Sequence, residues 1–411
     1  MATPAKTRLA GALVAILALP FCAAGTSRAA DNSVINGQLQ LGDVFSGQTL
    51  NVESASDGVS ADSVAVGNIV SATGRDAHLD FQSDQAVAAR VEATSNVTVA
   101  GDAGPYFATT ASATGNSATA GTCCALTEGS SLQTVEPGGL VAARTASQVG
   151  TTAGVSVDAS AIGNTTGWEQ SGGQVQTWTG QNHGGQTLAS NTGQFTTSTG
   201  PVGLTATAVS NNVTVDNAGA TTDIGAQQVM DGISTDALID VRLGSGTSID
   251  GMATGVGNNV DSQNTSSDAA MNVSQTNAAP VNAATSLDVG SWSGDATVVA
   301  YGVGNSVILS NNGPSARLWS EQTSAGDVTS SATFTGGTGA NVFASSTAMG
   351  NAVSGYACAE CGGSIDASNT QTSSGRVRAN STVTITGRAR SVAGQATAVG
   401  NSATYEVSSG N

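Results

Sequence analysis

Apolar and polar residues alternate over many short stretches of this chain, and none builds the 3.6-residue period of an amphipathic helix. The clearest stretches precede a recurring Gly-Asn step, with small residues at the fourth and second positions back and an apolar residue directly before it. Ala113, Ala161, Ala208 and Ala348 belong to the first class, and Val66, Ile162, Val209, Val256, Val303 and Val399 to the second. Successive side chains of a strand point to opposite faces, so this pattern predicts strands with one small face and one face carrying the branched residue beside Asn. A second extended run lies upstream in most copies, as in Ala93-Thr94-Ser95-Asn96-Val97-Thr98-Val99 and Ser381-Thr382-Val383-Thr384-Ile385-Thr386. Gly, Asn, Asp and Ser separate the runs, which predicts an all-β chain nearly free of helix.

The strand patterns recur at a fixed interval. Aligned on Asn68, Asn116, Asn164, Asn211, Asn258, Asn305, Asn351 and Asn401, the spacings are 48, 48, 47, 47, 47, 46 and 50 residues. A second marker, Gln38, Gln85, Gln133, Gln181, Gln228, Gln275, Gln322 and Gln371, lies 28 to 30 residues before each Gly-Asn or Ser-Asn step. Eight copies of about 48 residues therefore begin near residues 38, 85, 133, 181, 228, 275, 322 and 371, and residues 30–411 read as one repetitive domain. The expected architecture is a β-solenoid resembling a β-helix. With two coils of about 24 residues per copy it would be a rod on the order of 75 Å long. A β-propeller-like ring is the alternative, disfavoured by the shortage of large core side chains. Residues 31–46 are the candidate N-terminal cap.

Composition sharpens this picture. Charged residues make up 10% and aromatics 4% of the chain, too little charge for a disordered polyelectrolyte and too few large side chains for an ordinary core. A thin structure with every amide paired along a ladder suits such a chain. Residues 1–29 read as a secretory signal: Lys6 and Arg8, an apolar run from Leu9 to Phe21, then small residues. The formal charge of the whole chain is −17, and without the signal no lysine remains. That acidity argues against nucleic acid and anionic lipid as partners.

Candidate chemistry is sparse. The eight Asn and the Gln positions from Gln85 to Gln371 suit turns with left-handed backbone and side-chain amide ladders, or rows that recognise a glycan. Cys123-Cys124 and Cys358-x-x-Cys361 occupy the same loop of their copies, five copies apart, roughly 50 Å at two coils per copy. A local Cys358–Cys361 bridge is expected, with either a vicinal bridge or free thiols at Cys123-Cys124. His78 and His183 read as surface polar residues. The acids Asp57, Asp62, Asp216 and Asp223 are dispersed, so no catalytic set, cofactor or metal site is expected. The tryptophans Trp168, Trp178, Trp292 and Trp319 read mostly as local packing, with sugar stacking as the alternative. Arg376, Arg378, Arg388 and Arg390 protect an edge strand or dock an acidic partner or neighbouring subunit.

The signal segment, the unbroken repeats and the motif Ala396-Thr397-Ala398-Val399-Gly400-Asn401-Ser402-Ala403 resemble the holdfast anchor protein HfaD family of stalked alphaproteobacteria. The resemblance implies an exported, outer-membrane-associated surface protein that anchors the holdfast polysaccharide with the companion proteins HfaA and HfaB; assembly into a homo-multimer through open solenoid ends is a further expectation. It brings no catalytic residue. A polysaccharide-degrading β-helix and a surface passenger or fibre-like module are the rival readings.

Overall fold

The computed structural model describes residues 32–358 and 363–408. The signal segment, Cys361 and the last three residues lie outside them. Twenty strands and no helix occur among the described residues, every strand pair is parallel, and all belong to one sheet.

The strands fall into three ladders. The first stacks β1 (Asn32–Gln40), β4 (Leu79–Val87), β7 (Leu126–Val135), the ends of β9 (Val155–His183) and β11 (Val202–Met230), then β14 (Ala269–Asn277), β16 (Ser315–Ser324) and β18 (Ser364–Ser373). The second stacks β2 (Val44–Val52), β5 (Arg90–Asp102), β8 (Leu140–Thr152), β10 (Gln186–Ser198), β12 (Ser234–Gly246), the starts of β15 (Val281–Asn311) and β17 (Val328–Cys358), and β19 (Val377–Ile385). The third runs through β3 (Val59–Arg75), β6 (Phe107–Cys123), the start of β9 and of β11, β13 (Ile249–Thr265), the ends of β15 and β17, and β20 (Ala389–Ser408).

Register corrects the expected coil size. Asn68 stands opposite Asn116, and Asn116 opposite Asn164, so the chain returns to the same ladder once per copy and not twice. At about 4.8 Å per coil, eight such coils give a stack of roughly 38 Å, half the expected length. The ring alternative fails because propeller blades are antiparallel and every pair here is parallel. The cap reading also fails: β1 and β2 pair in regular register with β4 and β5, as an ordinary first coil.

Besides a small cluster of Met230, Ala279, Val281, Val328 and Ala348, two large apolar cores run through the stack. One, between the second ladder and the first half of the third, holds Val91, Val141, Phe107, Phe195, Leu204 and Phe334. The other, between the first ladder and the second half of the third, holds Phe81, Trp168, Ile224, Met271, Leu309 and Leu318. Small residues dominate the inward positions because the space between opposing strands is narrow, and Ala111, Ala113, Ala159, Ala161, Ala206 and Ala208 are fully buried. At the Gly-Asn step two successive residues are buried, so the strand changes face there. Asn164 joins Ala161 inside while Ile162 turns partly outward, correcting the expectation that Asn shares a face with the branched residue.

Candidate functional site

The Gly-Asn step lies inside a strand and its glycines keep ordinary extended backbone. The positive-φ residues among those described are Asp76, Cys124, Ser266 and six glycines, none of them in this column. The left-handed turn reading is therefore wrong, and the glycine is favoured by proximity. A Cβ on Gly115 would sit 2.4 Å from the Gly163 carbonyl oxygen, and one on Gly257 2.5 Å from that of Gly304. Ser210 takes this position in one coil, its hydroxyl bonded to Thr235 Oγ1 at 2.6 Å.

Behind these glycines the amides form two continuous columns. Each Asn donates from Nδ2 to Oδ1 of the next, from Asn68 through Asn116, Asn164, Asn211, Asn258, Asn305 and Asn351 to Asn401, at 2.7–2.9 Å. Each Gln donates from Nε2 to Oε1 of the one before, Gln85 to Gln38 and so on to Gln371 to Gln322, at 2.7–3.0 Å. The second N–H of each amide crosses the interior to a backbone carbonyl, as from Asn211 to Val229 and from Gln228 to Asn259. Both donors of an interior amide are thereby satisfied within the buried interior, as burial demands. The two columns run with opposite donor polarity and lie between the two large apolar cores.

His183 stands one corner away, opposite Val135 and Met230 in neighbouring coils. It is fully buried, which corrects the surface reading; its Nε2 lies 2.8 Å from Thr187 Oγ1. Burial drives its pKa down to about 4, opposed in part by a backbone hydrogen bond. His78 is partly buried 3.1 Å from Glu128. Cys123 and Cys124 form a vicinal disulfide at the corner joining the third ladder to the first, where Asp76, Cys124, Gly172, Gly219 and Ser266 take left-handed φ in successive coils. Cys358 lies at the equivalent corner five coils on, about 24 Å away at one coil per copy.

The outer surface carries the groups free to meet a partner. A shallow cleft runs across β5, β8, β10, β12 and β15, lined by Thr98, Gln148, Gln194, Arg242 and Asp288 in one row and by Asn96, Thr192 and Asp240 in the next. Its floor is a row with little side chain, Gly150, Gly244 and Gly290, held small because each added Cβ would strike a carbonyl of the coil before it at 2.4 Å. At its rim Glu92 is buried beneath Arg90, at 2.6 Å, and Arg144. Burial, then the neighbouring Arg90, lowers the Arg144 pKa.

The aromatics divide. Trp168 is buried edge-on to Phe81, and Trp292 edge-on to Phe334. Trp178 and Trp319 are exposed on one outward column of the first ladder, separated by Gly225 and Asn272. The cleft residues were missed in the sequence, because Thr98, Gln148, Gln194 and Arg242 lie 13, 15, 13 and 14 residues after the Gln marker of their copies and only the strand pairing brings them into one row. What the surface offers is a strip on which successive coils present hydroxyl, amide, guanidinium and carboxylate groups in turn, all able to hydrogen-bond. No helix among the described residues is long and apolar enough to cross a membrane. The family model described as HfaD, Holdfast attachment protein D, matches residues 53–327 and 315–411. No curated protein and no solved structure matches the chain.

Proposed function

The chain belongs to the holdfast attachment protein D family, and on that footing we propose that it is a structural adhesion protein anchoring the holdfast polysaccharide to the outer membrane. It is exported behind the signal at residues 1–29, and residues 30–411 act as a β-solenoid of eight one-coil repeats. HfaA and HfaB are its companions at the envelope. Its task is to bear load between glycan and cell without turnover, and the cleft along Gln148, Gln194 and Arg242 is the contact with the polysaccharide.

One observation carries this reading: the amide columns extend unbroken from the first coil to the last, so the body is cross-linked along its length by side chains as well as backbone. Such a spine suits a passive tether. The test is complementation of a strain lacking the chain. The intact chain should keep holdfast on the cell, while Gln148→Ala/Gln194→Ala/Arg242→Ala should export and fold normally yet shed it. Retention at the parental level by the triple variant would remove the cleft assignment. Release of soluble sugar from holdfast polysaccharide by the purified chain would remove the structural reading altogether.

A further inference from the structure

The first ladder carries an outward pair of indoles that the cleft does not use. Paired position by position, Ser130, Trp178, Gly225, Asn272, Trp319 and Ser368 form one line along the stack. Trp178 is 41% and Trp319 61% exposed, against 1% and 3% for Trp168 and Trp292 in the cores. Three coil spacings separate the exposed pair, about 14 Å at the strand distance. Two large aromatic groups left in water on one line of a thin, small-residue body are apolar surface that folding has not consumed.

Trp178 lies along the sheet. A Cβ on Gly180, two residues on, would come within 2.6 Å of its Cη2, and one on Gly225, in the next coil, within 2.8 Å of its Cδ1. The benzo end of the indole thus covers one glycine and the pyrrole end the other, a pose open only while both positions lack a side chain. Leu132, opposite Gly180 in the preceding coil and itself exposed, covers the same glycine, its Cδ2 2.8 Å from that Cβ, and widens the apolar surface.

Hydrogen-bonding groups stand on both sides of this line. Gln176 precedes Trp178 by two residues, and Asp223 and Gln227 flank Gly225, all three exposed. A shallow hollow runs on from Asp223 over Ala270 and past Asn272 to Arg317, Trp319 and Ser368. Amides and carboxylates of this kind accept from and donate to hydroxyls. The negative π face of an indole attracts the C–H hydrogens that a pyranose with equatorial hydroxyls turns to its two faces. In a β-1,4-linked chain those faces lie in one flat ribbon, so two indoles on one line meet the same ribbon. Charge narrows the class further. Glu128, Asp223, Glu321 and Asp366 stand on this face with Arg317, and that negative excess opposes a polymer of uronic acids.

We propose that the line from Trp178 to Trp319 is a second glycan-binding site, taking a β-1,4-linked ribbon of gluco-configured sugars without acidic groups, laid along the stack axis. It lies on a different ladder from the cleft. The proposal rests on the tether reading for its role in the cell, and on the indole geometry for its chemistry.

The test is titration of the whole exported chain with cellohexaose, read by tryptophan fluorescence, with the β-1,4-linked hexamer of glucuronate as the control that differs in its carboxylates. Expected are a saturable change in emission with a dissociation constant at or below about 1 mM, and binding of the glucuronate hexamer at least about tenfold weaker. Trp178→Ala and Trp319→Ala should each raise the dissociation constant about tenfold or more. Gly225→Val, which puts a side chain where the Trp178 ring lies, should do the same with both indoles present. Unchanged far-ultraviolet circular dichroism in each variant excludes misfolding as the cause. No binding of cellohexaose up to about 10 mM, equal binding of the glucuronate hexamer, or binding indifferent to all three substitutions overturns the proposal. Gln148→Ala/Gln194→Ala/Arg242→Ala should leave cellohexaose binding unchanged. Binding lost in that variant and kept in the tryptophan variants would defeat this inference alone, whereas full holdfast retention by a chain carrying the cleft and tryptophan substitutions together would defeat the anchoring reading.

Discussion

At the residue scale, the interior amides are held by geometry that leaves no substitute. Replacing Asn211 by Ala leaves the Asn164 side-chain N–H, the Val229 carbonyl and the Asn258 Oδ1 without their partner inside a buried column. The expected cost is about 2–4 kcal/mol, read by urea unfolding. Asn401→Ala, at the exposed end of the same column, should stay within about 0.5 kcal/mol. His183 supplies a pH signature. Its folded pKa of about 4 lies below the 6.5 of an ordinary histidine, so the unfolded chain binds more protons between those values. Stability is complete above pH 6.5 and falls as pH drops toward 4, by roughly 3 kcal/mol from this group. His183→Met, copying Met230 in the next coil, should flatten that part of the profile when unfolding is measured at pH 7.5 and 4.5; equal slopes in both proteins would contradict the assignment. The amide positions were legible in the sequence because both markers recur together. The burial of His183 was not, since a single histidine in one copy carries no periodic signal and its neighbours Val135 and Met230 become neighbours only once the coils are in register.

At the scale of elements, strand type was legible and coil length was not. Alternation predicts strands wherever it occurs, but β9, β11, β15 and β17 run through corners without a break, as at Trp292–Asp295, where only a register shift marks the bend. Left-handed glycines mark the corners of β9 and β11 at Gly172 and Gly219, but scattered Gly elsewhere in the strands hides that signal, so a copy with three faces resembled two smaller coils. Deletion distinguishes the two. Removing residues 228–274, one whole copy, joins Gln227 to Gln275 and restores every column, so the shortened chain should fold cooperatively with its strand signal per residue unchanged. Removing about half as many residues should abolish folding, because it carries the next segment onto the wrong ladder. Circular dichroism and a thermal melt decide between them; a half-copy deletion that folds as well as the whole-copy one would contradict the pairing described above.

At the scale of the whole molecule, each coil touches only the coils before and after it, so stability is a sum of neighbouring interfaces and the ends are weakest. Hydrogen exchange should show it: amides of β8, β10 and β13 should be protected most, and those of β1, β2, β19 and β20 least, with a gradient between. The chain also enters at one end of the stack and leaves at the other, because β1 and β20 lie on the first and last coils. Tension applied through its two termini consequently cannot load all the coils together. It peels the outermost one, whose release frees about 47 residues and, at roughly 3.4 Å each, adds about 160 Å of contour length before the next begins to yield. A tether pulled in this way lengthens in steps and dissipates work at every step, so a sudden jerk is absorbed by a molecule that still holds at both ends.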